Sequence, residues 1–183
     1  MTGVLDQVLG LQGPVVYLVV GLLVFAEDAV FVGFVLPGET AAVLGGVAAS
    51  RSHVSLTLMC ILVVAAAIAG DSVGYGIGVR SGTRPLSGKA SRRHAKRIDA
   101  ARASLARRGG PAVFGGRFVA VLRAAMPFFA GSSGMRYPRF LAYNAAGGLV
   151  WGVGSVLLGY LAGNSYTAVE RPPAAPPHSS PPR

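Results

Sequence analysis

Apolar residues run along this chain in long stretches broken by glycine, proline and a few isolated charges, and the breaks carry most of the information. Pro14 to Ala26 has the pattern of an apolar helix, opened by a proline that suits a first turn, where no backbone N–H is needed. Glu27 and Asp28 interrupt it before the sequence turns apolar again over Ala29 to Leu36. At about 1.5 Å of rise per residue, the stretch to Ala26 reaches about 20 Å, two-thirds of a hydrocarbon core about 30 Å thick. Glu27 is then either immersed at membrane depth or a marker of the interface. Leu36-Pro37-Gly38-Glu39-Thr40 is a turn signal within apolar sequence, and Ala41 to Ala49 reads as a short helix. Residues of about 28–50 are therefore expected to form a re-entrant hairpin, with Glu39 at the N-terminus of the returning half-helix. A helix cap at a surface turn accounts for Glu39 equally well.

Ser55 to Val79 is long enough to span a bilayer, with Asp71 and several glycines in its second half. Gly70, Gly74 and Gly78 are four apart and predict a face that another helix approaches closely, with Asp71 beside it. Gly74-Tyr-Gly-Ile-Gly78 lacks the spacing and the strand-turn-helix setting of a dinucleotide site, so packing is its expected role. From Arg80 to Gly110 the chain is basic, with Ile98 and Leu105 at loosely helical spacing, which predicts a surface-lying helix. Gly115 to Gly131 is apolar but short, with Pro127 within it, and predicts a second re-entrant hairpin at about 112–131. Arg136-Tyr-Pro-Arg139 forms a basic edge before a last span over Phe140 to Ala162, punctuated by Asn144 and Trp151. Two proline-interrupted segments, each preceding a long Gly-rich span, suggest an internal repeat.

Composition narrows the class. With 52% hydrophobic and 13% charged residues and a mean hydropathy of +0.53, an ordinary soluble domain is excluded. The net charge of +10 would suit nucleic acid, but ten of the seventeen Lys and Arg residues lie between Arg80 and Arg108, in one loop between apolar stretches. The expected partner is an anionic lipid surface and not nucleic acid, and the positive-inside rule assigns the loop 80–110 to the cytoplasm. Cys60 is the single cysteine, and His53, His94 and His178 match no ligand spacing, so neither a metal nor another cofactor is expected. Residues 1–13 carry no positive charge, which argues against a cleaved signal. The membrane domain is expected over 14–165 and a disordered Pro-rich tail over 166–183.

Arg117 and Arg123 are the chemical focus. A guanidinium at the bilayer centre costs about 2.5 to 3.5 kcal/mol on insertion scales, so both should face protein, water or an anion. Arginine forks pair bidentately with phosphate, which makes these two the candidate substrate-binding residues. Glu27 and Glu39 are the candidate proton carriers, and Asp71 and Asn144 candidate supports, Asn144 through a hydrogen bond to a neighbouring helix.

These residues together resemble the DedA family, also called the SNARE-associated or VTT-domain family. The motifs are Phe25-Ala-Glu27 with Pro37-Gly38-Glu39 after it; Gly70-Asp71 with Tyr75 and Gly78; Gly116-Arg117-Phe118 with Arg123, Pro127, Ala130 and Gly131; and Phe140, Asn144, Gly147 and Trp151. The resemblance covers about residues 14 to 165. It implies an all-α membrane protein in which two oppositely oriented re-entrant hairpins, an inverted repeat, pack with transmembrane helices. It also implies lipid movement between leaflets, recycling of undecaprenyl phosphate and dependence on the proton motive force. Glu27 and Glu39 would match the family's embedded acidic pair, and Arg117 and Arg123 its essential arginines. One departure is that Val-Gly-Phe-Val-Leu precedes Pro37, without the doubled proline of some members.

The expected function is a proton-linked transporter of an anionic phospholipid or polyprenyl phosphate in the cytoplasmic membrane, with protons as the second partner. The alternatives are a proton or cation antiporter, with the arginines as counter-ions, and a membrane scaffold whose charges neutralise one another. No nucleophile-base pair, HExxH motif or P-loop appears, so the chain is not read as an enzyme. The sequence leaves a homo-oligomer open.

Overall fold

The computed structural model of the chain describes residues 13–29, 38–51, 54–81, 105 and 109–170. Among them are six helices and no strand: α1 (Gly13–Ala29), α2 (Gly38–Ser50), α3 (Leu56–Ser81), α4 (Gly110–Gly116), α5 (Ala120–Ser132) and α6 (Tyr137–Glu170). The expected all-α class holds for these residues. Pro37, residues 1–12, nearly all of the basic loop 80–110 and the tail beyond residue 170 lie outside them.

Each long helix is two-faced. On α3, Met59, Val63, Ala67, Gly70, Asp71, Gly74 and Gly78 share the buried side, while Leu58, Ile61, Val73 and Ile77 are exposed. On α1, Val16, Val20 and Val24 are buried at every fourth position, and Leu18 and Leu22 point outward. The outward side is as apolar as the inward one, which is the surface of a protein that meets lipid rather than water. By length and composition α3 and the Tyr137–Ser165 part of α6 can each cross a membrane.

Chain directions follow from close approaches. Tyr17 pairs with the backbone of Ser55 (2.7 Å from Ser55 N), whereas Asp28 lies against Gly70 and Gly74, so α1 and α3 run parallel. Gly38 abuts Glu27 while Gly45 abuts Met59, so α2 runs back, antiparallel to α1. At the other end of the molecule Gly110 meets Tyr143 and Phe114 meets Gly147, placing α4 alongside α6. From there α5 returns, with Pro127 at Gly74 and Gly131 at Tyr75. Two shorter helices followed by one long helix thus occur twice, and the short pairs point their turning ends at each other. Each pair has its own core. Val16, Val20, Val24, Ala42, Met59 and Val63 fill the first, and Val113, Met126, Phe128, Phe129 and Phe140 fill the second.

Glycine makes this convergence close enough. A Cβ at Gly78 would run into the Phe128 carbonyl, and one at Gly131 into the Tyr75 carbonyl, so α3 and α5 touch backbone to backbone. The expected close-packing face of Gly74 and Gly78 is present. Gly134, at φ 74°, takes the left-handed conformation that ends α5 and turns the chain into α6.

Three boundaries and one burial differ from expectation. The first antiparallel pair begins at Gly13, not near residue 28, because α1 itself is its outgoing arm. The break in the second pair falls at Arg117–Val119, not at Pro127. Gly115-Gly116 weakens the helix there and Val119 is extended (φ −117°, ψ 114°), whereas Pro127 is accommodated inside α5. That proline leaves the Arg123 carbonyl without its usual helical donor. The last helix continues to Glu170, past the expected start of the tail at 166. Leu105 is buried in the second core, packed with α4 and α5 residues rather than at the surface.

Candidate functional site

Between the two cores lies a layer of charge. Arg117 stands at the turn after α4, pressed against α6 where Gly147 and Gly148 leave room; a Cβ at Gly147 would sit 3.2 Å from Arg117 Cδ. Its side chain is almost sealed. Nη1 donates to Asp71 on α3 and, over 2.8 Å, to Asn144 Oδ1 on α6, while Nη2 donates to Asp28 on α1 over 3.5 Å. Three separate helices converge on one guanidinium. Arg117 Nε is a buried donor with no hydrogen-bond partner among the described residues.

Arg123, in the first turn of α5, is held differently. Its Nη2 donates to Glu27 on α1, and its Nη1 lies 3.9 Å from Glu39 in the first turn of α2. The Glu27 carboxyl is buried against Gly38, but the Glu39 side chain is 65% exposed. Trp151 on α6 stacks beneath both arginines, its ring centroid 4.8 Å from Arg123 Cζ and 5.7 Å from Arg117 Cζ.

At about 1.5 Å per residue, Asp71 lies about 22 Å along α3 from Leu56 and about 15 Å from Ser81, inside a core about 30 Å thick. Uncompensated charge there would be costly, and compensation is what the geometry supplies. Three buried carboxylates, Glu27, Asp28 and Asp71, surround two buried guanidiniums. Among the described residues no group of three or more His, Cys, Asp or Glu is arranged to hold a metal ion.

All six residues singled out from the sequence come to this layer. Asp71 and Asn144, the candidate supports, are direct partners of Arg117, and Glu27 is the partner of Arg123. Glu39 starts α2 as expected, and its carboxylate is exposed where that of Glu27 is buried within the protein. Two participants were not assigned from the sequence. Asp28 was seen only as the neighbour of Glu27; adjacent positions on a helix point about 100° apart, and both are buried because α1 is flanked by α2 and α3. Trp151 lies seven residues after Asn144, two turns along the same face, and the sequence marks it only as a motif residue without a role.

A family model, the VTT domain, matches residues 36–161. The chain belongs to the DedA family. Among relatives, an uncharacterized membrane protein of Mycobacterium tuberculosis is 40% identical over 155 residues, covering 81% of this chain and 69% of that protein. An uncharacterized membrane protein of Synechocystis sp. is 38% identical over 138 residues, covering 74% of this chain and 63% of its own length. Protein DedA of Escherichia coli is 32% identical over 162 residues, 87% of this chain and 74% of that protein. No solved structure matches the chain. This DedA-family chain is thus a membrane protein, in keeping with its two long apolar helices; Glu39, Asp71, Arg117, Arg123, Asn144 and Trp151 fall within the matched VTT region, and Glu27 and Asp28 precede it.

Proposed function

We propose that this DedA-family protein moves an anionic lipid phosphate, of the undecaprenyl phosphate kind, between the leaflets of the cytoplasmic membrane, linked to the proton motive force. The observation that carries this reading is the pair of buried arginines at the level where the two short helix pairs meet, each neutralised by carboxylates. A carboxylate oxygen and a phosphate oxygen make the same charge-assisted hydrogen bond to a guanidinium, so a phosphate can replace a carboxylate without leaving the arginine unpaired. Protonation of a displaced carboxylate removes the charge that would otherwise repel the incoming anion. One proton crossing 100 mV gains about 2.3 kcal/mol, enough to bias such an exchange.

In this reading the pairs α1–α2 and α4–α5 are re-entrant hairpins inserted from opposite membrane faces, and α3 and α6 are the spanning helices. Arg80, Arg136 and Arg139 group at the end from which the basic loop departs, which supports a cytoplasmic loop and a cytoplasmic origin for α4–α5. The chemistry asked of the site is binding and release of charge, with no bond made or broken in the lipid, so the role is that of a transporter and not an enzyme. A proton or cation antiporter is the second reading, favoured by the fact that both guanidiniums already have carboxylate partners. Reconstitution into liposomes with a reporter of headgroup movement, with and without a pH gradient, separates the two. Lipid-phosphate movement accelerated by the gradient is expected. Ion flux without headgroup movement would instead support the antiporter.

A further inference from the structure

The charged layer is not balanced, and the imbalance is localised. Among the described residues, three buried carboxylates face two buried guanidiniums, leaving one negative charge in excess. On the Arg123 side, one buried carboxylate, Glu27, meets one guanidinium, and the second acid, Glu39, is exposed. On the Arg117 side, Asp28 and Asp71 both bind the same guanidinium and both are buried. Two carboxylates on one cation, away from solvent, cannot both keep their charge cheaply.

We propose that Asp28 and Asp71 share one exchangeable proton across Arg117, so that this pair, rather than Glu27 and Glu39, is where the proton is carried. The proposal deepens the transport reading and depends on it for its purpose, though not for its chemistry. When the proton leaves, the O–H bond of the protonated aspartic acid breaks, the electron pair stays on the carboxylate oxygen and the proton passes to water. The second charge then needs donors. Arg117 Nε, a buried donor with no hydrogen-bond partner among the described residues, and the side-chain amide of Asn144, which reaches Asp71, both belong to this cluster. Reprotonation reverses the step, with no other bond changed.

The groups that face the pair are few. α1 contributes Glu27 next to Asp28, the turn after α4 contributes Arg117, and α5 contributes Arg123, whose charge reaches both aspartates. α6 offers Asn144 and Trp151, neither of which titrates, and from α2 only the exposed Glu39 approaches, on the far side of Arg123. A proton leaving or joining the pair is therefore felt by Arg117 directly and by Arg123 through space. That divides the labour: Arg123, beside the exposed Glu39, meets the anion, and the Arg117 cluster holds the proton.

Infrared spectroscopy of the full chain in liposomes tests this without relying on transport. At neutral pH exposed carboxylates are ionised, so a carboxylic-acid carbonyl band that shifts in heavy water reports a buried protonated acid. The wild type should show one such band, Glu27→Gln and Glu39→Gln should retain it, and Asp28→Asn and Asp71→Asn should each lose it. A band that disappears in Glu27→Gln, one that persists in both aspartate variants, or no band in the wild type, as a bound sodium ion would give, overturns the proposal. A parallel flipping assay keeps the two readings apart. Asp28→Asn should lose the acceleration of lipid movement by a pH gradient. Absence of lipid movement in the wild type would remove the transport reading while the spectroscopic result stood or fell by itself.

Discussion

Arg117 and Arg123 are six residues apart in sequence, share the ring of Trp151 and lie at one level of the bundle, yet they are held in opposite ways. Arg117 is fixed by acceptors on α1, α3 and α6 and by glycines cut to its shape, so nothing can reach it without dismantling the layer. Arg123 has one buried partner and one exposed partner at longer range, so one of its two sides is open to exchange. The difference teaches that a matched pair of buried cations need not be a matched pair of binding groups. One holds the two halves together. The other, in the transport reading, is the one offered to the lipid.

The largest effect should come from removing the sealed arginine. Arg117→Ala leaves Asp28 and Asp71 buried without their cation, and breaking a buried pair in this way costs about 3–5 kcal/mol. Little folded protein should be extractable, whereas Arg123→Ala, which strands one buried carboxylate instead of two, should accumulate to a higher level; size-exclusion profiles of the two variants compare them directly. If both accumulated equally, the contrast between sealed and open sites would be lost.

Next in size is Gly78→Leu, which drives a side chain into the Phe128 backbone and should cost about 1–3 kcal/mol or more as overpacking. Gly74, where a Cβ would stand 3.3 Å from Pro127, should tolerate alanine better than Gly78 does. Thermal stability in detergent ranks them, and the reverse order would contradict the α3–α5 contact.

Removing the shared ring comes third. Trp151→Leu should weaken the hold on both guanidiniums by about 0.5–2 kcal/mol, and Trp151→Phe by less. Glu39→Gln should be the mildest for stability, within about 1 kcal/mol, because its carboxylate is exposed and its arginine keeps Glu27. An unfolding temperature lowered as far by Glu39→Gln as by Trp151→Leu would mean that Glu39 belongs to the sealed layer.

Much of this layer was legible because intramembrane charge is rare: Glu27, Asp71, Arg117 and Arg123 stand out in apolar sequence, and the glycine spacing on α3 announces a close neighbour. What periodicity could not supply was pairing. Asp28 and Glu27 look alike in sequence, and only the parallel run of α1 and α3 puts Asp28 on Arg117 while Glu27 meets Arg123. The hairpin break was misplaced for a similar reason. Pro127 is the stronger local signal, but Gly115-Gly116 and the extended Val119 turn the chain where two buried arginines need to face different partners.

The central claim is that Arg123 meets the phosphate of a lipid with its planar fork, and Arg123→Lys tests it most directly. Lysine keeps the charge opposite Glu27 but offers a compact ammonium in place of the fork. Headgroup binding and flipping by the Arg123→Lys protein are measured in liposomes against the wild type, with folding checked by size exclusion. The account predicts a folded protein with weakened lipid-phosphate affinity and flipping near the protein-free background. Flipping at close to the wild-type rate with unchanged lipid affinity would contradict it, and would make Arg123 a counter-ion to Glu27 and nothing more.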